Sequence, residues 1–153
     1  MSYMQLRPTM RYAKQSDGAS VVVKKLRPNS NELSILQYLH SFASLHNHVL
    51  PILRALELDM GTFIFVPEAT PLELGFTFKM FRNNGADFSR QLIEGVGFLH
   101  RCDIAHLDIK PGNIVVSENR LLIIDFDVSV RVDGPDALID RWCGTPGWMA
   151  PWP

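Results

Sequence analysis

The stretch HLDIKPGNIVV, His106 to Val116, constrains the fold of this chain more than any other. A Lys-Pro-Gly turn carries Asp108 on one side and Asn113 on the other, then runs straight into apolar residues. Proline and glycine punctuate regular structure, so a helix-like segment ends before the turn and a strand begins after it. The run continues as NIVVSENRLLIIDFD, which reads as two short strands around Ser117-Glu118-Asn119. Asp125 closes the second strand after four apolar residues, and an ionised carboxylate there needs a partner.

These residue types suit one chemistry. Asp108 can accept a proton from a hydroxyl, Lys110 can neutralise negative charge developing beside it, and the Asn113 amide oxygen and Asp125 carboxylate are hard ligands for Mg²⁺. Asp and Asn also favour turns for purely local reasons, so ordinary turn chemistry is the competing account of Asp108 and Asn113.

Upstream, TMRYAKQ and ASVVVKKL flank the turn-forming Ser16-Asp17-Gly18, which predicts a hairpin. Ile35, Leu36, Leu39 and Phe42 recur at helical spacing, with a helix start expected near Ser30 and an Asn29-to-Glu32 capping pattern. HVLPILRALELD and GTFIFVPEA predict two further strands joined at Asp59-Met60-Gly61, with Pro67 closing the second. RNNGAD is expected to interrupt regular structure before FSRQLIEGVGFLH resumes as a helix with Phe88, Leu92, Val96 and Leu99 on one stripe. The tail from Val128 lacks periodicity and is expected to be mostly loop.

Strand alternation puts Val22 and Lys24 on one face of the hairpin arm and Val21, Val23 and Lys25 on the other. Glu32 shares the core-facing stripe of Ile35 and Leu36. Two solvated lysines and a capping glutamate would explain these residues separately. Together they suggest a meeting, because an inward ammonium and an inward carboxylate are each costly to bury alone.

Composition limits the partners. With 15 Lys+Arg against 16 Asp+Glu, the net charge of -1 gives no global field to attract nucleic acid or an anionic membrane. No apolar run reaches the length of about 20 residues needed to span a bilayer. The opening MSYMQLRPTMRY is too polar for a signal peptide. Cys102 and Cys143 have no metal-type spacing and read as ordinary part-buried thiols, which makes a cytoplasmic setting the expectation.

In order along the chain, VVVKKL, NELSIL, GVGFLH, HLDIKPGNIVV, LLIIDFD and GTPGWMAP resemble the signatures of eukaryotic protein kinases, from about Ser20 onward. The resemblance implies an α+β, protein kinase-like two-lobe fold: a small antiparallel sheet plus one helix over residues 1–70, then an incomplete helical lobe over 71–153, as one partial domain. It implies ATP and Mg²⁺ as cofactors and Ser/Thr of a protein substrate as acceptor. Lys24 would hold the α- and β-phosphates and pair with Glu32; Asp108 would orient and deprotonate the substrate hydroxyl; Lys110 would steady the γ-phosphate; Asn113 and Asp125 would hold the metal. Glu68 to Thr70 would form the hinge whose backbone meets the adenine, Pro67 would take the gatekeeper place, and Val22 would roof the base.

The sequence also departs from that family's pattern. No glycine-rich loop is recognisable, since Gly18 is the only glycine among the first sixty residues. Leu107 replaces the arginine of His-Arg-Asp, and between Asp125 and Pro151 the only hydroxyl side chains are Ser129 and Thr145, which suits a segment not switched by phosphate. Asp127 stands where the family has glycine, as an extra metal ligand or as a hindrance. Trp152-Pro153 follows Ala150-Pro151 where the family has glutamate, and a truncation there is expected to expose the Leu92 and Val96 stripe or Trp142 and Trp148 and to favour self-association. Two alternatives follow: a pseudokinase or inactive fragment acting as a binding module, and a small-molecule kinase of the aminoglycoside or choline type.

Overall fold

The computed structural model describes residues 10–14, 18–72, 78–134, 139 and 143–149. Strands β1 (Met10–Lys14) and β2 (Ser20–Lys25) pair antiparallel with Tyr12 opposite Val22, which makes the expected hairpin; Ser16 and Asp17 of its turn lie outside the described residues. Helix α1 (Glu32–His40) follows, then β3 (Arg54–Leu58) and β4 (Gly61–Pro67). The four strands form one antiparallel sheet in the order β1-β2-β4-β3, with Lys24 opposite Ile64.

A short strand β5 (Thr70–Pro71) leads out of the sheet, and helix α2 (Phe78–Arg101) comes next. Strand β6 (Ile104–Ala105) precedes a single 3₁₀ turn over Pro111–Asn113, and the hairpin of β7 (Ile114–Ser117) and β8 (Arg120–Ile123) follows. β5 adds to β7, with Thr70 opposite Val116. Strand β9 (Val130–Arg131) pairs with β6, so the segment after Asp125 carries a short strand where loop alone was expected.

Three local expectations are corrected. RNNGAD does not interrupt α2, which runs through it. Asp87 at its end pairs with Arg90 and accepts from Gln91 Nε2, Ser89 Oγ donates to the Gly85 carbonyl, and buried Phe88 anchors the turn. These contacts outweigh the loss of about 1 kcal/mol for glycine in a helix. The Asn29–Glu32 capping box does not form: Asn29 is left-handed (φ 60°), Ser30 Oγ accepts from the Glu32 N–H, and the Glu32 carboxylate is spent elsewhere. Residues 48–53 are not part of β3; Val49 makes a lone parallel bridge to Ile123.

One apolar core joins the sheet to the rest of the chain. Ile35, Leu36 and Leu39 of α1 pack with Ile64 of β4, with Phe98 and Leu99 of α2, and with Ile104, Ile123 and Phe126. The apolar spacing of α1 is the cause: its inward stripe meets the sheet on one side and α2 on the other. A smaller cluster of Phe88, Ile114, Val116 and Leu121 seats the β7-β8 hairpin against α2. The turn and strand-end carboxylates of this hairpin are thereby held below β2 and α1. On α2, Leu92 and Val96 are half-buried while Ile93 is exposed; Trp148 is exposed as well. Trp142 lies outside the described residues.

Candidate active site

Val22 and Lys24 share the inner face of β2, as alternation requires, and both line an apolar cavity of about 120 Å³. Pro67, Ala69 and Pro71 close one wall, Val115 and Ile124 another. Glu68 and Thr70 lie at its rim with exposed side chains; only their neighbours line it. The Glu68 N–H donates to the Ser20 carbonyl, which ties this connection to β2.

Deeper in, the Lys24 ammonium donates to both carboxylate oxygens of Glu32, at 2.6 and 2.7 Å, and to Oδ1 of Asp125 at 2.7 Å. Glu32 is 1% exposed, so its charge is compensated where water cannot reach. Burial pushes the Glu32 carboxyl above its ordinary value; the Lys24 charge and hydrogen bonds oppose that without overcoming it. The Phe126 N–H adds a donor to Oε1 at 3.3 Å.

An open cleft of about 580 Å³ adjoins the cavity, lined by Lys24, Asp108, Lys110, Asp125 and Thr145 among others. Oδ2 of Asp108 accepts from Lys110 Nζ at 2.7 Å and from Asn113 Nδ2 at 2.8 Å, and Oδ1 accepts from the Thr145 hydroxyl at 2.7 Å. Lys110 also donates to Thr145 Oγ1. Burial would raise the Asp108 pKa, but these hydrogen bonds outweigh it and hold the carboxyl below its usual range. Asn113 is fully buried, and its Nδ2 also donates to the Asp108 carbonyl at 2.8 Å. The Lys-Pro-Gly turn explains the closeness: one 3₁₀ turn brings the amide back onto the carboxylate five residues earlier.

His106 braces this turn. Its Nε2–H donates to the Ile124 carbonyl at 3.0 Å, its Nδ1 accepts from the Asp108 N–H at 3.3 Å, and its ring meets Phe126 edge-on at 4.7 Å. The acceptor role of Nδ1 demands the neutral imidazole, in line with burial holding its pKa below 6.5. Leu107 and Asp125 both adopt left-handed φ, at 66° and 68°, which is uncommon outside glycine and marks backbone fixed by its surroundings.

The expected site residues therefore fall into one connected region, apart from Glu68 and Thr70 at the rim. Thr145 is a member that spacing does not reveal. Asp127 pairs with Arg27, Nη1 to Oδ2 at 2.8 Å. Neither cysteine is in a disulfide, and Cys102 is buried and Cys143 partly so, as expected. Among the described residues no helix is long and apolar enough to cross a membrane.

The donor set fits Mg²⁺. Asp125 and Asn113 offer hard oxygens, and among the described residues no group of three His, Cys, Asp or Glu side chains converges as a dedicated cage. Mg²⁺ is commonly held by one or two protein oxygens plus substrate phosphates.

The site thus pairs an apolar cavity with a charged cleft, between an antiparallel sheet with one helix and a carboxylate-bearing turn. Comparison with known proteins carries this further: the protein kinase domain family model matches residues 9–152. The chain belongs to the protein kinase family. It is 29% identical over 150 residues to a calcium/calmodulin-dependent protein kinase kinase of Caenorhabditis elegans, covering 94% of this chain and 27% of that one. Over 67 residues it is 43% identical to the serine/threonine-protein kinase chk-1 of Caenorhabditis briggsae, covering 42% of this chain and 14% of that one. Over 63 residues it is 41% identical to the phosphorylase b kinase gamma catalytic chain, liver/testis isoform, of Bos taurus, covering 40% of this chain and 15% of that one. The chain thus spans about a quarter or less of the length of these relatives.

Proposed function

We propose that this chain carries out ATP- and Mg²⁺-dependent phosphoryl transfer to serine or threonine hydroxyls of a protein substrate. The observation that supports this most is the Asp108 carboxylate, held at once by Lys110, Asn113 and Thr145 in the cleft that Lys24 and Asp125 also line. Residues 1–70 would supply the nucleotide-covering part and 71–153 the catalytic turn and the segment after it.

In this reading the apolar cavity takes the adenine beneath Val22, with the backbone of Glu68 to Thr70 at its edge. Lys24, steadied by Glu32, places a cation against the α- and β-phosphates. Asp108 orients the acceptor hydroxyl and takes its proton, and its low pKa keeps it ionised for that task. Lys110 neutralises charge on the transferred group. Asn113 and Asp125 would hold Mg²⁺, which supplies charge neutralisation at the phosphates. Such a reaction asks little covalent chemistry of the protein, so positioning dominates.

The test is transfer of labelled phosphate from ATP to a generic basic protein, with Asp108→Asn as control. Label on serine or threonine that vanishes in the variant supports the reading, and equal label with both removes it.

A nucleotide-binding module without transfer is the second reading, favoured by the Asp127 carboxylate lining the cleft. It predicts a thermal shift with Mg²⁺ and ATP but no label on any acceptor.

A further inference from the structure

Arg27 lies two residues beyond the end of β2 and lines the same cleft as Asp108, Lys110 and Asp125. Its Nη1 donates to Oδ2 of Asp127 at 2.8 Å. The two partners are unequal: the Asp127 side chain is 13% exposed and the Arg27 side chain 75%. The carboxylate is the fixed end, two residues past Asp125. It holds one nitrogen of a planar fork of five donors and leaves the others facing solvent and cleft. An ion pair this open contributes little to stability, so its geometry calls for another explanation.

The charges around it supply one. The Lys24 ammonium is matched by Glu32 and Asp125, and the Lys110 ammonium by Asp108. Lys25, the other cation at this rim, lies 5.8 Å over the Phe63 ring. Both deep lysines therefore share their charge with carboxylates, and a polyphosphate in the cleft calls for a further cation besides them. The planar guanidinium of Arg27, with most of its donors uncommitted to Asp127, is built for bidentate contact with phosphate oxygens.

We propose that Arg27 is a phosphate-binding residue for the nucleotide, and that Asp127 is a positioning residue that aims its guanidinium into the cleft. This rests on the nucleotide-dependent transfer proposed above and assigns to it Arg27, which lies outside the turn and strand signatures, and a role for Asp127, which departs from the family pattern. The ligand class is a nucleoside polyphosphate, recognised at its distal phosphates rather than at its base.

Calorimetric titration of the full chain with ATP, ADP and adenosine, each with Mg²⁺, tests it. Loss of a charge-assisted contact is expected to weaken ATP about tenfold in Arg27→Met, with adenosine unchanged. Arg27→Lys recovers part of the loss. Asp127→Asn weakens ATP less than Arg27→Met, and the double variant is no weaker than Arg27→Met alone, because the two act through one contact. An unchanged ATP affinity in Arg27→Met, an equal loss for ATP and adenosine in both Arg27 variants, or tighter ATP binding in Asp127→Asn overturns the assignment. A wild-type chain that binds neither ATP nor adenosine overturns the proposed function and this inference together. A wild-type chain that binds ATP and an Arg27→Met variant that binds it equally removes Arg27 alone.

Discussion

The Lys24 ammonium sits between Glu32 and Asp125, 2.6 Å from the first carboxylate and 2.7 Å from the second, and so links β2, α1 and the strand end beyond β8. Its side chain is 12% exposed and that of Glu32 2%. Lys24→Met leaves two carboxylates facing each other without a cation. Removing one partner of a buried pair typically costs about 3–5 kcal/mol. Chemical denaturation of Lys24→Met is expected to show a loss in that range, and Lys24→Met/Glu32→Leu to recover much of it. A single variant as stable as wild type would mean that the link contributes nothing to the fold.

Thr145 holds Asp108 from the side opposite Asn113 and meets Lys110 as well. A hydrogen bond to a charged group contributes about 1.5–3 kcal/mol, so Thr145→Ala is expected to lower kcat by about tenfold or more. Thr145→Ser keeps the hydroxyl and most of the rate. Only Thr145→Ala removes this contact, so equal rates in all three would mean that the hydroxyl contributes nothing to the rate.

The route from sequence to site was uneven for physical reasons. The β7-β8 hairpin and the turn before it are legible because proline, glycine and an apolar period act locally. Lys24 and Glu32 become legible as a pair because burying either alone is costly. Thr145 is not legible in this way: its bond to Asp108 spans 37 residues, and a threonine in an aperiodic stretch carries no mark of its partner. RNNGAD misleads for the converse reason. Its turn-favouring residues speak for local preference, while the packing of Phe88 against the β7-β8 hairpin, helped by the Asp87–Arg90 pair within the helix, fixes it. Asn29 and Glu32 have capping spacing, yet the pull of Lys24 on the carboxylate decides the outcome.

His40, at the end of α1, carries a buried Nε2 with no hydrogen-bond partner. Burial holds its pKa below 6.5, against a weaker opposing hydrogen bond with the Val49 backbone. His106, also buried, is displaced in the same direction. Below about pH 6.5 the unfolded chain takes up protons at these positions that the folded chain does not, so stability is full above that pH and declines as pH falls. Denaturation midpoints between pH 7.5 and 5 are expected to drop, and His40→Leu to flatten the slope. Identical slopes for wild type and variant would show that His40 titrates alike in both states.

Gly95 and Gly97 stand two residues apart in α2 and are expected to respond oppositely to alanine. Alanine favours a helix interior over glycine by about 1 kcal/mol. At Gly97 the added methyl meets only the flexible end of Arg101, at 3.3 Å, so the helix preference prevails and the melting temperature rises. At Gly95 it would lie 2.9 Å from His48 Cβ and 3.1 Å from Ile123 Cδ1. His48 cannot retreat easily, because its Nδ1 bonds the Leu121 carbonyl and its backbone carbonyl accepts from the Ile123 N–H. Overpacking of this kind costs about 1–3 kcal/mol and exceeds the helical gain. Gly95→Ala therefore lowers the melting temperature and displaces Ile123, two residues before Asp125. A rise in melting temperature for both variants would mean that α2 and the β7-β8 hairpin are less closely packed than the distances at Gly95 require.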